Sequence, residues 1–208
     1  MSEGLIAAAR RLDALGFMPG KSGNLSLRRE AGFVITPAAL PYAELTADDL
    51  VTCDAAGEVL HGHRRPSSEW RLHAAIYAAR PEAQAVVHTH SPRATALSCA
   101  RRGIPPFHYT LALAGGADIR CADYTTFGTQ ALAETATAAL EGRRACLLAN
   151  HGVLAFGATV ESAAALAREV ENLASQYLAI LAAGLEPVLL TPAEMAEVQA
   201  QFAGYGRL

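Results

Sequence analysis

No apolar run in the 208-residue chain is long enough to cross a bilayer. Basic stripes are missing too. The longest basic cluster is His63-Arg64-Arg65, and a net charge of −3 leaves no electrostatic footprint for nucleic acid. The four cysteines, Cys53, Cys99, Cys121 and Cys146, include no pair at CxxC spacing. That spacing argues against a zinc ribbon or a thioredoxin-type site, and scattered free thiols suit a reducing cytoplasm. Met1-Ser2-Glu3-Gly4 opens an amphipathic run and lacks the basic-then-apolar form of a secretory signal, so a cytoplasmic protein is expected. Repeats, linkers and low-complexity segments are absent apart from an alanine bias. What remains is a chain 51% hydrophobic, enough for a single domain over 1–208 with a proper core.

Leu5, Ile6, Ala9, Leu12 and Leu15 recur at helical spacing up to Gly16. The loop Pro19-Gly20-Lys21-Ser22-Gly23-Asn24 leads into the alternating run Leu25–Arg28, and Phe33–Thr36 follows as a second strand. Thr46-Ala47-Asp48-Asp49 reads as a helix start. Val51–Cys53 and Glu58–Leu60 flank a turn, so the first third is expected to be an antiparallel meander. Helices are expected from Pro66 to Ala79, with Trp70, Ala74 and Tyr77 on the apolar side, then over 92–100, 129–140 and 160–183, with a last one from Thr191. Strands are expected over 85–90, 119–124, 145–149 and 152–157, while 104–116 has no clear period. Strands and helices mix without strict alternation. The expected fold is one α/β domain, α+β in its layering, with a mostly antiparallel sheet between helices.

Two strand ends carry histidine. In Ala85-Val86-Val87-His88-Thr89-His90, alternation puts His88 and His90 on one face. Leu147-Leu148-Ala149-Asn150-His151-Gly152 repeats the form with a third histidine. An HxH pair alone is more often inert. Three imidazoles, each at the end of a buried strand, instead make a catalytic-type site with an open position. His88, His90 and His151 are therefore expected to hold one divalent metal, with Glu69 beside it. His61 and His63 precede arginines and belong to a solvated loop; His73 and His108 are structural or supporting. Pro66-Ser67-Ser68-Glu69 reads as a capped helix start that also makes an anion site. Lys21-Ser22-Gly23-Asn24 reads as a turn able to cradle an anion.

The chain resembles the class II aldolase and adducin-head family. The matching stretches run in order along nearly the whole chain. They include Ser22-Gly23-Asn24-Leu25-Ser26, Ile35-Thr36-Pro37, Pro66-Ser67-Ser68-Glu69-Trp70-Arg71, Val86-Val87-His88-Thr89-His90, His108-Tyr109, Thr126-Phe127-Gly128-Thr129 and His151-Gly152. The resemblance implies a homotetramer with active sites at subunit interfaces and zinc, or another divalent metal, on His88, His90 and His151. It implies that Glu69 can ligate the metal and becomes the acid/base once substrate binds. It implies that Tyr109 comes from a neighbouring subunit to protonate an aldehyde oxygen. Substrate and phosphate contacts fall on Ser22, Gly23, Asn24, Thr36, Ser67, Ser68, Phe127 and the tail residue Tyr205.

Those roles suit cleavage of a short ketose 1-phosphate, a small sugar phosphate, into dihydroxyacetone phosphate and an aldehyde. The reaction leaves an enediolate that a Lewis acid stabilises. Decarboxylation or dehydration of related sugar phosphates on the same scaffold, and a non-catalytic adducin-like head, are the competing readings. One departure stands out. Ala38-Ala39 replaces the threonine-glycine pair that ketose-phosphate members carry, which removes a hydroxyl and a close backbone approach at the phosphate.

Overall fold

The computed structural model describes residues 2–204. Its centre is one eight-stranded sheet in the order β4-β3-β2-β1-β5-β8-β7-β6. The strands are β1 Asn24–Arg29, β2 Gly32–Ile35, β3 Val51–Cys53, β4 Val59–His61, β5 Ala85–Thr89, β6 Cys121–Ala122, β7 Ala145–Leu148 and β8 Gly152–Gly157. Every neighbouring pair is antiparallel except β6 with β7. The expected mostly antiparallel sheet is what forms, including the β1–β4 meander.

Helices cover both faces. On one lie α1 Ser2–Ala14, α3 Pro92–Cys99 and α5 Val160–Ala182; on the other lie α2 Trp70–Ala79 and α4 Gln130–Ala139. α6 Pro192–Gly204 packs by the 3-10 segment Tyr109–Ala114. The two-faced burial follows from β5 itself. Ala85 and Val87 enter the core under α1, α3 and α5, while Val86 enters the core under α2 and α4. Leu5, Ala8, Ala9 and Leu12 are the buried stripe of α1, at the spacing a helix needs to seal a sheet. α5 is capped by Thr159, whose hydroxyl accepts from the Ser162 N–H at 3.1 Å. Glu171 of α5 accepts from the Arg93 and Ala94 N–H groups at 2.8–3.1 Å, pinning the start of α3 to α5.

Several expected elements differ. The helix start at Thr46 is a single 3-10 turn, Ala47–Asp49, closed by Asp49 reaching back to Thr46. The strand expected over 119–124 shrinks to two residues because Ile119 pairs in an isolated bridge with Ile104. The inward face of α2 is Leu72, His73, Ile76 and Tyr77, with Trp70 and Ala74 only half-buried at its edge.

Candidate active site and metal centre

β5 sits between β1 and β8 and delivers the first two histidines. His88 lies opposite Asn24 of β1 and Leu154 of β8. It is fully buried, and its Nδ1 lies 2.8 Å from the Val153 carbonyl oxygen. That carbonyl can only accept, so Nδ1 carries the proton and Nε2 turns a lone pair outward. His90 follows one turn of pleat later, its N–H donating to the Phe17 carbonyl at 2.9 Å. His151 arrives through the β7–β8 turn, where Asn150 adopts φ 54°, a left-handed value that asparagine tolerates. Gly152 is needed beside it. A Cβ there would strike the Thr89 carbonyl oxygen and lie 3.0 Å from His90 Cδ2.

The three rings stand nearly perpendicular to one another, with centroids 4.8–4.9 Å apart and interplanar angles of 72–81°. His88 Nε2 and His90 Nε2 are 2.9 Å apart. Glu69 closes the group: its Oε2 lies 3.1 Å from His88 Nε2 and its Oε1 3.2 Å from His151 Nε2. One ligand atom from each of the four residues falls within 4.8 Å of the others. Ligands bonded to zinc at about 2.0–2.1 Å in a tetrahedron lie roughly 3.3–3.4 Å from each other, so the cluster has the right size. Its chemistry also fits. Glu69 Oε1 is buried without a well-directed hydrogen bond, despite the nearby His151 nitrogen. A carboxylate oxygen orphaned among three imidazole nitrogens is a place for a divalent cation.

The charges are tightly coupled. Burial pushes the Glu69 carboxyl up, but the attraction of His88 and contacts with His151 outweigh it and hold the group well below the usual range. Burial likewise opposes charge on His88, yet Glu69 raises that imidazole above its ordinary value. His90 falls to about 3, from burial first and then from repulsion by His88 and His151.

Glu69 is placed by a late helix start. The Ser67 N–H donates to the Thr36 carbonyl at 3.2 Å, and Pro66 bridges to Pro37, so the segment stays extended and α2 begins only at Trp70. The serine cap expected of Pro66-Ser67-Ser68-Glu69 is thereby corrected. α2 has no side-chain cap, and Ser67 Oγ accepts from the Glu69 N–H at 3.3 Å instead. The Glu69 side chain turns to Asn24, whose Nδ2 donates to Oε2 at 3.0 Å.

A cleft of about 600 Å³ opens over the cluster. His90, His151 and Glu69 form one end. Ser22, Gly23, Asn24, Ser67 and Ser68 form another wall, and Phe127 lies at the rim. Gly23 has φ 74°, and a Cβ there would fall 2.6 Å from the His88 carbonyl oxygen, so the loop passes tightly against β5.

The sequence profile of the class II aldolase and adducin N-terminal domain matches residues 3–178. The chain belongs to this family. It is similar to the 5-methylthioribulose-1-phosphate/5-deoxyribulose-1-phosphate aldolase of Rhodospirillum rubrum, 50% identical over 99% of this chain and 92% of the relative. It is 44% identical to the L-fuculose phosphate aldolase of Escherichia coli over 97% of this chain and 94% of that one. A solved L-fuculose 1-phosphate aldolase superposes with a TM-score of 0.93 at 39% identity, covering 97% of this chain and 95% of its own. The protein is thus a class II aldolase, a lyase, built around a His/Glu cluster able to hold a divalent metal.

The aldolase's remaining expected site residues are placed unevenly. Thr36 is fully buried beneath the cleft wall, where its hydroxyl accepts from the Leu25 N–H at 3.1 Å. Tyr109 is half-exposed and away from this chain's own cleft, stacked between His108 and Phe202 of α6. Tyr205 lies outside the described residues. His61 and His63 are solvent-exposed as expected, but His61 is the last residue of β4, paired with Thr52, and not part of a loop. The sequence places Lys21 in the anion-cradling turn without a role of its own for its side chain, and gives none to Tyr124, Thr125 or Asn150, although all four line the cleft. Asn150 stands next to His151, which could have drawn attention to it. Tyr124 and Thr125 carry no sequence signal.

Proposed function

We propose that this aldolase is zinc-dependent and cleaves a short ketose 1-phosphate, of the 5-deoxypentulose or 6-deoxyketohexose kind, into dihydroxyacetone phosphate and an aldehyde. The observation that carries this reading is the cleft's polarity. Three imidazoles and a buried carboxylate meet at one end, and a wall that includes Ser22, Ser67 and Ser68 runs along the other. Lys21, the only lysine in the chain, lines that wall with the Ser22-Gly23-Asn24 turn and Ser67-Ser68, and supplies the cationic partner for a phosphate. Tyr124 and Phe127, both more than half exposed, give the cleft mouth an apolar face suited to a deoxy or thioether end on the aldehyde. The names of these two relatives point the same way.

His88, His90 and His151 would hold the zinc, with Glu69 close enough to join them. Zinc there supplies Lewis-acid stabilisation for the negative charge left on the triose half when the bond between carbons 3 and 4 breaks. The carbon-4 hydroxyl would pass its proton to the phenolate form of Tyr109 from a neighbouring subunit as that bond's electron pair moves toward the carbonyl at carbon 2. Glu69, after taking up a proton from solvent, would deliver it to carbon 3, which replaces the one lost at carbon 4. Tyr109 serves the carbon-4 oxygen of a neighbouring subunit's site. Its exposure and its absence from the lining of its own cleft support an interface role, in the homotetramer that the family resemblance implies. Four free cysteines support a cytoplasmic setting, and no helix among the described residues is long and apolar enough to cross a membrane.

The test is a cleavage assay on zinc-loaded protein that follows dihydroxyacetone phosphate release. The substrates are 5-deoxyribulose 1-phosphate, 5-methylthioribulose 1-phosphate, fuculose 1-phosphate and their unphosphorylated forms. Turnover of at least one phosphorylated substrate, lost with a chelator and restored by zinc, is the expected result. Loss of carbon dioxide or water from the corresponding acid or pentulose phosphates, with no triose phosphate formed from any substrate, would replace this reading with the decarboxylase or dehydratase one.

A further inference from the structure

The Glu69 carboxylate is the end of a chain of buried side chains that the reaction as proposed does not use. Asn24 and Ser26 are two residues apart on β1 and face the same side, toward α2. His73 of α2 lies between them. Its Nδ1 is 2.6 Å from Ser26 Oγ, and its Nε2 is 2.5 Å from Asn24 Oδ1. Ser26 Oγ is also 2.7 Å from the Tyr77 hydroxyl, one turn further along α2. Asn24 Nδ2 completes the series at Glu69 Oε2. His73 and Ser26 are fully buried, and Asn24 and Tyr77 are nearly so.

The chain has only one consistent direction. A carboxylate accepts and does not donate, so Asn24 turns its NH₂ toward Glu69. Its carbonyl oxygen then faces His73, which must donate from Nε2. Burial, and then the nearby His88, hold the His73 imidazole neutral with a pKa lowered to about 3. A neutral ring with its proton on Nε2 has a bare Nδ1, so Ser26 donates there. Ser26 in turn accepts from Tyr77, whose phenol burial keeps protonated. Every donor points toward Glu69. Were His73 to carry its proton on Nδ1, Asn24 would have to flip and press its carbonyl oxygen against the carboxylate.

We propose that His73, backed by Ser26 and Tyr77, is a positioning residue for Glu69: it locks the Asn24 amide so that an N–H always meets Oε2. Oε2 is then tethered while Oε1 stays free for the metal or, later, for substrate. The proposal rests on the metal and acid/base roles given to Glu69 above.

The first test needs neither turnover nor substrate. In zinc-loaded protein with ¹⁵N-labelled histidine, the ring signals of His73, assigned by their loss in His73→Gln, should show a protonated Nε2 and a bare Nδ1. A protonated Nδ1 would overturn the proposal. The second test uses side-chain reach. Gln places an amide nitrogen near the Nε2 position and keeps the donor to Asn24, whereas Asn reaches only the Nδ1 position and loses it. His73→Asn should lower kcat by about 10–100-fold, with KM nearly unchanged, and weaken zinc in chelator competition by a similar factor. His73→Gln should recover both to within about threefold of the parent. Equal losses in the two variants, or none in either, would make His73 an ordinary core residue. If His73→Asn fails to fold, Ser26→Ala carries the test. A lower kcat at unchanged KM supports the proposal, and parental kcat refutes it. A parent protein that binds zinc but cleaves no ketose phosphate would sink the proposed function instead, while leaving the tautomer result readable.

Discussion

Glu69→Gln separates the electrostatic and catalytic roles of the carboxylate. Its two oxygens lie 3.1 and 3.2 Å from the His88 and His151 nitrogens, and the residue is 6% exposed. Unit charges that close attract by about 5 kcal/mol at an effective dielectric near 20, and desolvation offsets most of it. A net contribution of about 1–3 kcal/mol in metal-free protein is expected, since each unit of pKa displacement is worth about 1.4 kcal/mol. The sign differs for the two partners. The depressed Glu69 carboxyl contributes above its unfolded value of 4.5 and is lost as pH falls through its folded value. The raised His88 contributes below its unfolded value of 6.5 and is lost as pH rises through its folded value. The pair is therefore strongest between 4.5 and 6.5. In chelated protein at pH 6 the variant should melt lower by about 2–12 °C, at roughly 2–4 °C per kcal/mol for a chain of this size. The gap should narrow as pH rises above 6.5 and the raised His88 loses its proton. A gap that is constant with pH, or a variant more stable at pH 6, would refute the charge pairing. With zinc restored, Gln should keep the fold and lower turnover by about 10²–10⁴-fold. Turnover within about threefold of the parent would reduce Glu69 to the residue that happens to precede α2.

Mixing inactive Glu69→Gln and Tyr109→Phe subunits should restore activity, because some interfaces then pair an intact Glu69 with an intact Tyr109; a verified mixed oligomer that stays inactive would put both residues in one chain's site. Lys21→Met should raise KM for the phosphorylated substrate about tenfold, the worth of one charge-assisted contact, and leave the unphosphorylated analogue unaffected; equal effects on both would remove Lys21 from the phosphate. Ala39 holds φ 60°, a left-handed value that costs a residue with a Cβ about 1–2 kcal/mol, so Ala39→Gly should leave the melting temperature unchanged or raise it by a few degrees. The same variant should lower KM for phosphate esters, and a clear drop in melting temperature would show that the Ala39 methyl packs usefully at the cleft wall.

Much of the metal centre could be read from the chain because it depends on local rules. A period of two placed His88 and His90 on one face of β5, and apolar Val86 and Val87 announced that the strand is buried. Thr159 signalled the start of α5 as a cap, and Thr191 that of α6 through Glu194 three residues on. Local rules failed where a distant partner took over a backbone group. The Thr36 carbonyl claims the Ser67 N–H, 31 positions away, and delays α2 by a turn's worth of residues, which leaves Glu69 outside the helix and free to face the cleft. Ile104 captures Ile119 and cuts β6 short.

The sequence by itself determined the residue types, their faces on the strands and the family to which the chain belongs. Only the tertiary structure decided what those side chains do to one another. Asn24 reads as a phosphate ligand in a turn, yet its amide is committed to Glu69 and His73, 45 and 49 positions away. His73 reads as a structural or supporting histidine with no partner named, and the register of β1 against β5 under α2 makes it the link between Ser26 and Asn24. Hydrogen bonds of that kind are set by which strands neighbour each other and where a helix crosses them. Those are long-range choices that minimise unpaired buried groups across the whole core, and no window of sequence contains them.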